Sequence, residues 1–103
     1  MAKQDGQYQR IGSLVPAASV AVPTYKAEQM VNQDILMNTY EIKITENNAE
    51  HALISGIHMK TGAAVEIDTF DRAIVAQLVN LPQDVQMPIL IKVVVFGRYY
   101  SLE

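Results

Sequence analysis

Alternating apolar and polar residues near the middle of the chain constrain the fold more than any other feature. In Thr39–Glu46 the apolar residues Tyr40, Ile42 and Ile44 occupy every second position. Successive side chains of a strand point to opposite faces, so this spacing predicts a half-buried β-strand. The apolar run His51–Met59 follows closely enough to be its antiparallel neighbour.

Turn residues connect this strand to two more. Asn47 and Asn48 favour a first turn, and Gly62 supplies the left-handed position of a second, three-residue loop. The two loop lengths predict cross-strand pairs that place one apolar set on a single face: Ile44 with Leu53, Ile42 with Ser55, Tyr40 with Ile57, Ile57 with Val65, and Ser55 with Ile67. Because both turns select the same face, the sequence predicts a three-stranded antiparallel meander.

One glycine lies inside the predicted second strand. Gly56 lies between Ser55 and Ile57. A glycine within a strand indicates a bulge, or a place where a ligand or another backbone comes close to the sheet. Packing of a bulky side chain over it is the simpler alternative.

Helical periodicity flanks the meander on both sides. Apolar residues spaced by three and four predict a first helix over Tyr25–Met37, with Thr24 as its N-cap. A second apolar stripe predicts a helix from Thr69 to about Asn80, with Asp68 as its N-cap.

The last apolar segment, Ile89–Tyr100, is the longest predicted strand, and it lies beside either the first or the third strand of the meander. The expected fold is therefore α+β: an N-terminal arm and helix, a three-stranded antiparallel meander, a helix and a long C-terminal strand, about four strands and two helices. The length of 103 residues suits one domain. We expect that domain over residues 11–101, after a flexible N-terminus at 1–10, and we interpret residues 102–103 as vector-derived.

Composition restricts the classes of partner. The chain has no cysteine, its net charge is −3, and its lysines and arginines are dispersed. A nucleic-acid-binding protein normally carries a basic patch, so we expect no nucleic acid, unless the scattered basic residues converge in space. No apolar run approaches the roughly 20 residues of a membrane span, so we expect no membrane and a cytoplasmic location. No cofactor and no metal site are expected.

One polar set on the meander is a candidate ligand site. His58, Glu66, Glu41 and Lys43 are predicted to share a face, and a histidine beside a carboxylate can act as a general base. They carry no catalytic motif, so an ordinary solvated sheet face is the favoured interpretation. His51 is interpreted as a turn residue. The chain is thus expected not to be an enzyme.

The sequence contains more apolar surface than one small sheet and its helices need. The candidate interface residues are Ile54, Val94, Phe96, Tyr99 and Tyr100. Exposed apolar patches mark interaction sites. The leading hypothesis is a small non-enzymatic interaction or assembly protein. It would self-associate, with a dimer as the first expectation, or bind a protein partner through the sheet face and the N-terminal arm. The alternative is a small-molecule-binding protein or small enzyme that uses the site around His58.

Overall fold

The structure, a computed structural model, describes residues 22–103; the predicted flexible N-terminus and almost all of the predicted arm lie outside the described residues. The strands are β1 (Thr24–Tyr25), β2 (Asp34–Ile44), β3 (Glu50–His58), β4 (Ala64–Thr69), β5 (Ile89–Phe96) and β6 (Tyr99–Leu102). The helical elements are a 3-10 helix (Ala27–Met30) and α1 (Arg72–Val79).

These strands form one mixed sheet in the order β1-β4-β3-β2-β5-β6. The sheet curls into about half a barrel, and strands make up 50% of the described residues against 15% in helices. The predicted α+β fold with four strands and two helices is therefore wrong. The order also settles where the last predicted strand lies, because β5 pairs with β2, the first strand of the meander.

The predicted first helix is also wrong, because the chain is helical for only one turn, Ala27–Met30. Ala27 and Met30 are buried on the 3-10 helix. Asn32 then adopts a left-handed conformation with φ 64°, and its N–H donates to the carbonyl of Val93 over 2.7 Å. Asparagine tolerates this conformation and it ends a helix. The chain reverses there and enters β2 at Asp34.

A β-bulge at Asn38 interrupts β2. Met37 pairs with Gly56 and Thr39 pairs with Ser55, so Asn38 is the extra residue on β2. The bulge shifts the alternation by one position, which puts odd-numbered Met37 and even-numbered Tyr40 on the same face. A Cβ on Gly56 would lie 2.3 Å from the carbonyl oxygen of Leu36. The backbone of β2 therefore leaves no room for a side chain at position 56, which explains the glycine.

The predicted register of β3 is wrong in both hairpins. The structure pairs Ile42 with Ala52 and Tyr40 with Ile54 on one side of β3, and Gly56 with Val65 and Ile54 with Ile67 on the other. In both hairpins the observed pairing is offset from the predicted one by an odd number of residues. The side chains of β3 therefore point to the face opposite to the predicted one, while those of the neighbouring strands keep their predicted faces. Gly62 does adopt the predicted left-handed conformation, with φ 74°.

The core lies between the inner, concave face of the sheet and α1. Its largest fully buried side chains are Ile35, Met37, Ile54, Ile67, Ile74 and Val93. Helix α1 begins later than predicted, because β4 continues through Thr69. Asp71, and not Asp68, is the N-cap, since its Oδ1 accepts hydrogen bonds from the N–H groups of Ala73 and Ile74.

Candidate interaction surface

The final segment of the chain is a β-hairpin rather than one long strand. Phe96 pairs with Tyr99 across a two-residue loop of Gly97 and Arg98. Gly97 has φ 64°, the left-handed value that a tight hairpin loop requires at its first central position. The hairpin continues beyond Asp34, the first residue of β2, which pairs with Lys92 of β5. Its tip therefore projects from the sheet.

Apolar side chains follow the outer, convex face of this hairpin. Leu90 is 55% exposed, Phe96 is 75% exposed, Tyr99 is 58% exposed, and Val94 is half-buried between them. Leu90, Val94 and Phe96 alternate along β5, and Tyr99 lies directly opposite Phe96 on β6. We call these four residues the outer strip. At about 3.3 Å per residue the strip is roughly 20 Å long.

One ion pair lies within the outer strip. Lys92, between Leu90 and Val94 on the same face of β5, is paired in register with Asp34 on β2. The Nζ atom of Lys92 lies 3.7 Å from Oδ1 of Asp34. The two charges are adjacent, and the aliphatic stem of the lysine continues the apolar surface.

The edge of β6 that faces away from β5 is hydrogen-bonded to two side chains, those of Gln77 on α1 and of Asp71, the N-cap of α1. Lys92 and Glu103 exchange backbone hydrogen bonds, so Tyr100 and Leu102 point their own N–H and C=O groups away from β5. The N–H of Tyr100 donates to Oδ2 of Asp71 over 3.0 Å. The N–H of Leu102 donates to Oε1 of Gln77 over 2.7 Å, and Nε2 of Gln77 donates to the Leu102 carbonyl over 2.8 Å. We call this the covered edge.

The structure separates the predicted interface residues. Val94, Phe96 and Tyr99 lie together in the outer strip, whereas Tyr100 lies on the inner side of the hairpin against the core. Ile54 is 1% exposed in the core, so it is not part of this surface.

The predicted polar site is not assembled. Glu41, Lys43 and Glu66 lie on the outer face of the sheet, where Nζ of Lys43 is 4.0 Å from Oε2 of Glu41. His58 lies on the inner side, because it pairs with the buried residue Ile35. The inverted register of β3 is what removes the histidine from the three other residues.

His58 instead stabilises the β3–β4 turn. The N–H of Thr61 donates to its Nδ1 over 3.3 Å, which leaves Nε2 to donate to Oε1 of Gln33 over 2.9 Å. Both ring nitrogens are thus engaged, one by the β3–β4 loop and one by Gln33, the residue before β2.

The histidine on the outer face is His51, which sequence reasoning assigned to a turn. It is half-buried, and its Nδ1 lies 2.7 Å from Oδ1 of Asp68. Its ring stacks on that of Phe70 at a centroid distance of 4.7 Å. The predicted register of β3 placed His51 and Asp68 on opposite faces of the sheet. The observed register places them on the same face, where they contact each other.

Comparison with protein-family models, with curated proteins and with solved structures finds no match for this chain. No helix in residues 22–103 is long and apolar enough to cross a membrane.

Proposed function

We propose that this protein is a small non-enzymatic assembly module that self-associates through the outer strip. The observation that carries the proposal is the exposure of two aromatic side chains, Phe96 and Tyr99, next to exposed Leu90 on one face of one hairpin. Aromatic residues on an apolar surface are the usual energetic centre of a protein interface.

The covered edge supports contact through the face of the hairpin rather than through its edge. Strands that add to a sheet need free backbone N–H and C=O groups. On β6 three of the four outward groups of Tyr100 and Leu102 are already bonded to Asp71 and Gln77. No comparable bond covers the side chains of the outer strip in residues 22–103.

A second copy of the chain suits this surface. In a two-fold symmetric dimer the same patch meets itself, so the patch must be complementary to itself. Lys92 and Asp34 place opposite charges side by side near the middle of the strip. A two-fold axis there brings Lys92 of each copy to Asp34 of the other, while Leu90 of each copy packs on the Val94 and Phe96 end of the other.

The test is the oligomeric mass of the full chain in solution. We expect analytical ultracentrifugation to show a monomer–dimer equilibrium that the double variant Phe96→Ser, Tyr99→Ser weakens by roughly tenfold or more. Both side chains are largely exposed, so the stability of the monomer should change by less than about 0.5 kcal/mol each.

Ile44→Ser is the matched control. Ile44 is 66% exposed at the tip of the β2–β3 hairpin, far along the sheet from the outer strip. Loss of an exposed apolar side chain there should leave dimerisation unchanged. A wild-type chain that stays monomeric at high concentration, or an equal effect of the control, contradicts the proposal.

The same proposal includes expectations for the partner and for the location of the protein. The partner is a second copy and not nucleic acid, which the net charge of −3 supports. The location is cytoplasmic, which is compatible with a chain without cysteine.

A further inference from the structure

A cleft of about 520 Å³ lies beside Tyr100, on the inner side of β6. One wall is the segment from Thr24 to Glu28, which includes β1 and the start of the 3-10 helix. The other wall is the segment from Asp68 to Asp71, where the chain passes from β4 into α1, and Tyr100 of β6 also lines it. We call this the aromatic cleft. Its volume is within the range of small-molecule sites.

Three aromatic side chains line the aromatic cleft. Tyr25 and Tyr100 are half-buried and pack against the core, so the core holds their rings in place. Phe70 is exposed, and the His51 ring stacks on one of its faces. The rings come from three separate parts of the chain: β1, the connection between β4 and α1, and β6.

The charge of the aromatic cleft is negative. Glu28, Asp68 and Asp71 line it against a single basic residue, Lys26. Two of these carboxylates already accept hydrogen bonds, Asp71 from backbone N–H groups and Asp68 from His51. Both oxygens of Asp71 and one oxygen of Asp68 are therefore engaged, but the charge of these carboxylates still attracts a cation.

A diffuse organic cation matches these properties better than a metal ion does. A metal ion needs several free ligand atoms, and no group of three metal-ligating side chains occurs within residues 22–103. An alkylated ammonium ion needs only aromatic faces and nearby negative charge. We propose that the aromatic cleft binds a small organic ammonium ion with an apolar body. This binding activity goes beyond the proposed self-association and does not depend on it.

Choline and its uncharged isostere 3,3-dimethyl-1-butanol provide the sharpest test. We expect choline to shift the amide resonances of Tyr25, Glu28, Phe70 and Tyr100 saturably in ¹⁵N-labelled full-length protein. The neutral isostere has the same shape without the charge, so its affinity should be roughly 3- to 30-fold weaker, the range that cation–π contacts span. Sodium chloride at equal ionic strength corrects for salt.

The two phenylalanines of the chain give matched variants. Phe70→Leu keeps an apolar side chain but removes the aromatic face, and it should weaken choline binding by several-fold. Phe96→Leu makes the same change in the outer strip and should leave choline binding unchanged. Because Phe70 is exposed, Phe70→Leu should fold, which circular dichroism verifies.

A second pair of variants tests the charge. Glu28→Gln should weaken choline binding and leave the isostere unaffected, whereas Glu46→Gln, in the β2–β3 turn, should alter neither. Equal affinity for choline and its isostere overturns the proposal, and so do shifts that map outside the cleft or the absence of saturable shifts. None of these outcomes depends on dimerisation, so the two proposals fail separately.

Discussion

The two ends of β6 have opposite surroundings. At Tyr100 and Leu102 the outward backbone groups are bonded to side chains of α1. At Tyr99, next to the loop, the side chains of Tyr99 and Phe96 are 58% and 75% exposed. One short strand therefore has a covered edge at its base and a bare apolar surface at its tip.

The difference shows how the chain can avoid uncontrolled assembly. An open strand edge accepts any other strand, because backbone groups are the same in every protein. A side-chain surface such as the outer strip accepts only a surface of complementary shape and charge. Covering the edge while exposing the strip restricts association to the specific kind. On the proposed self-association, Asp71 and Gln77 would act on assembly although neither lies in the proposed interface.

Replacing Asp71 should have the largest effect, because its carboxylate serves both α1 and β6. Oδ1 caps the helix, and Oδ2 accepts the N–H of Tyr100. We expect Asp71→Ala to lower the free energy of unfolding by about 2–3 kcal/mol, the sum of a lost N-cap and a lost backbone partner. Urea denaturation measures this loss.

Asp71→Asn separates the two roles. Its amide oxygen can still cap α1, but the amide nitrogen cannot accept from Tyr100. It should cost about 1 kcal/mol and speed hydrogen exchange at the Tyr100 amide. Asp84→Ala, in the exposed loop before β5, is the control and should change stability by less than about 0.5 kcal/mol. Unchanged exchange at Tyr100 contradicts the link between cap and edge.

Removing the Gln77 amide should have a smaller effect on stability but should change the mode of association. Gln77→Ala loses two hydrogen bonds to Leu102, for about 1–1.5 kcal/mol, and opens the covered edge. We expect higher oligomers by light scattering, also in the background of Phe96→Ser, because edge pairing does not use the outer strip. Gln83→Ala is the control. If Phe96→Ser suppresses the oligomers, the two surfaces are not independent.

The elements that sequence predicted correctly are those whose signal is local. The left-handed Gly62, the helix that contains Ile74 and Leu78, and the strand nature of Thr39–Ile44 follow from turn chemistry and periodicity. The face of β3 does not, because it depends on the loop lengths and on the bulge at Asn38. A bulge is set by packing between strands, and its only local trace was Gly56 on the partner strand.

The candidate site was predictable to a similar extent. Phe96 and Tyr99 could be named from apolar content alone, although their position on a hairpin tip required Gly97 to be recognised as a turn. The pairing of His51 with Asp68 and the meeting of Tyr25, Phe70 and Tyr100 are contacts between distant elements. No single-sequence pattern encodes them, because each depends on how the sheet curls.

A substitution at Gly97 should cost no more stability than Gln77→Ala and should affect the tip alone. Gly97 has φ 64°, and an added Cβ would meet nothing within 4 Å. The cost of Gly97→Ala is therefore backbone strain, about 1 kcal/mol. It should speed hydrogen exchange at the Tyr99 amide and leave the Leu102 amide protected by Gln77.

Gly62→Ala provides an unusually close control for this substitution. Gly62 has φ 74° in the β3–β4 loop, and an added Cβ would also meet nothing within 4 Å. The two variants should lose similar stability, because the strain is of the same kind, about 1 kcal/mol each. Only Gly97→Ala should weaken dimerisation in analytical ultracentrifugation, since only Gly97 shapes the outer strip. If both variants weaken it equally, general destabilisation explains the loss and the hairpin tip is not the contact surface.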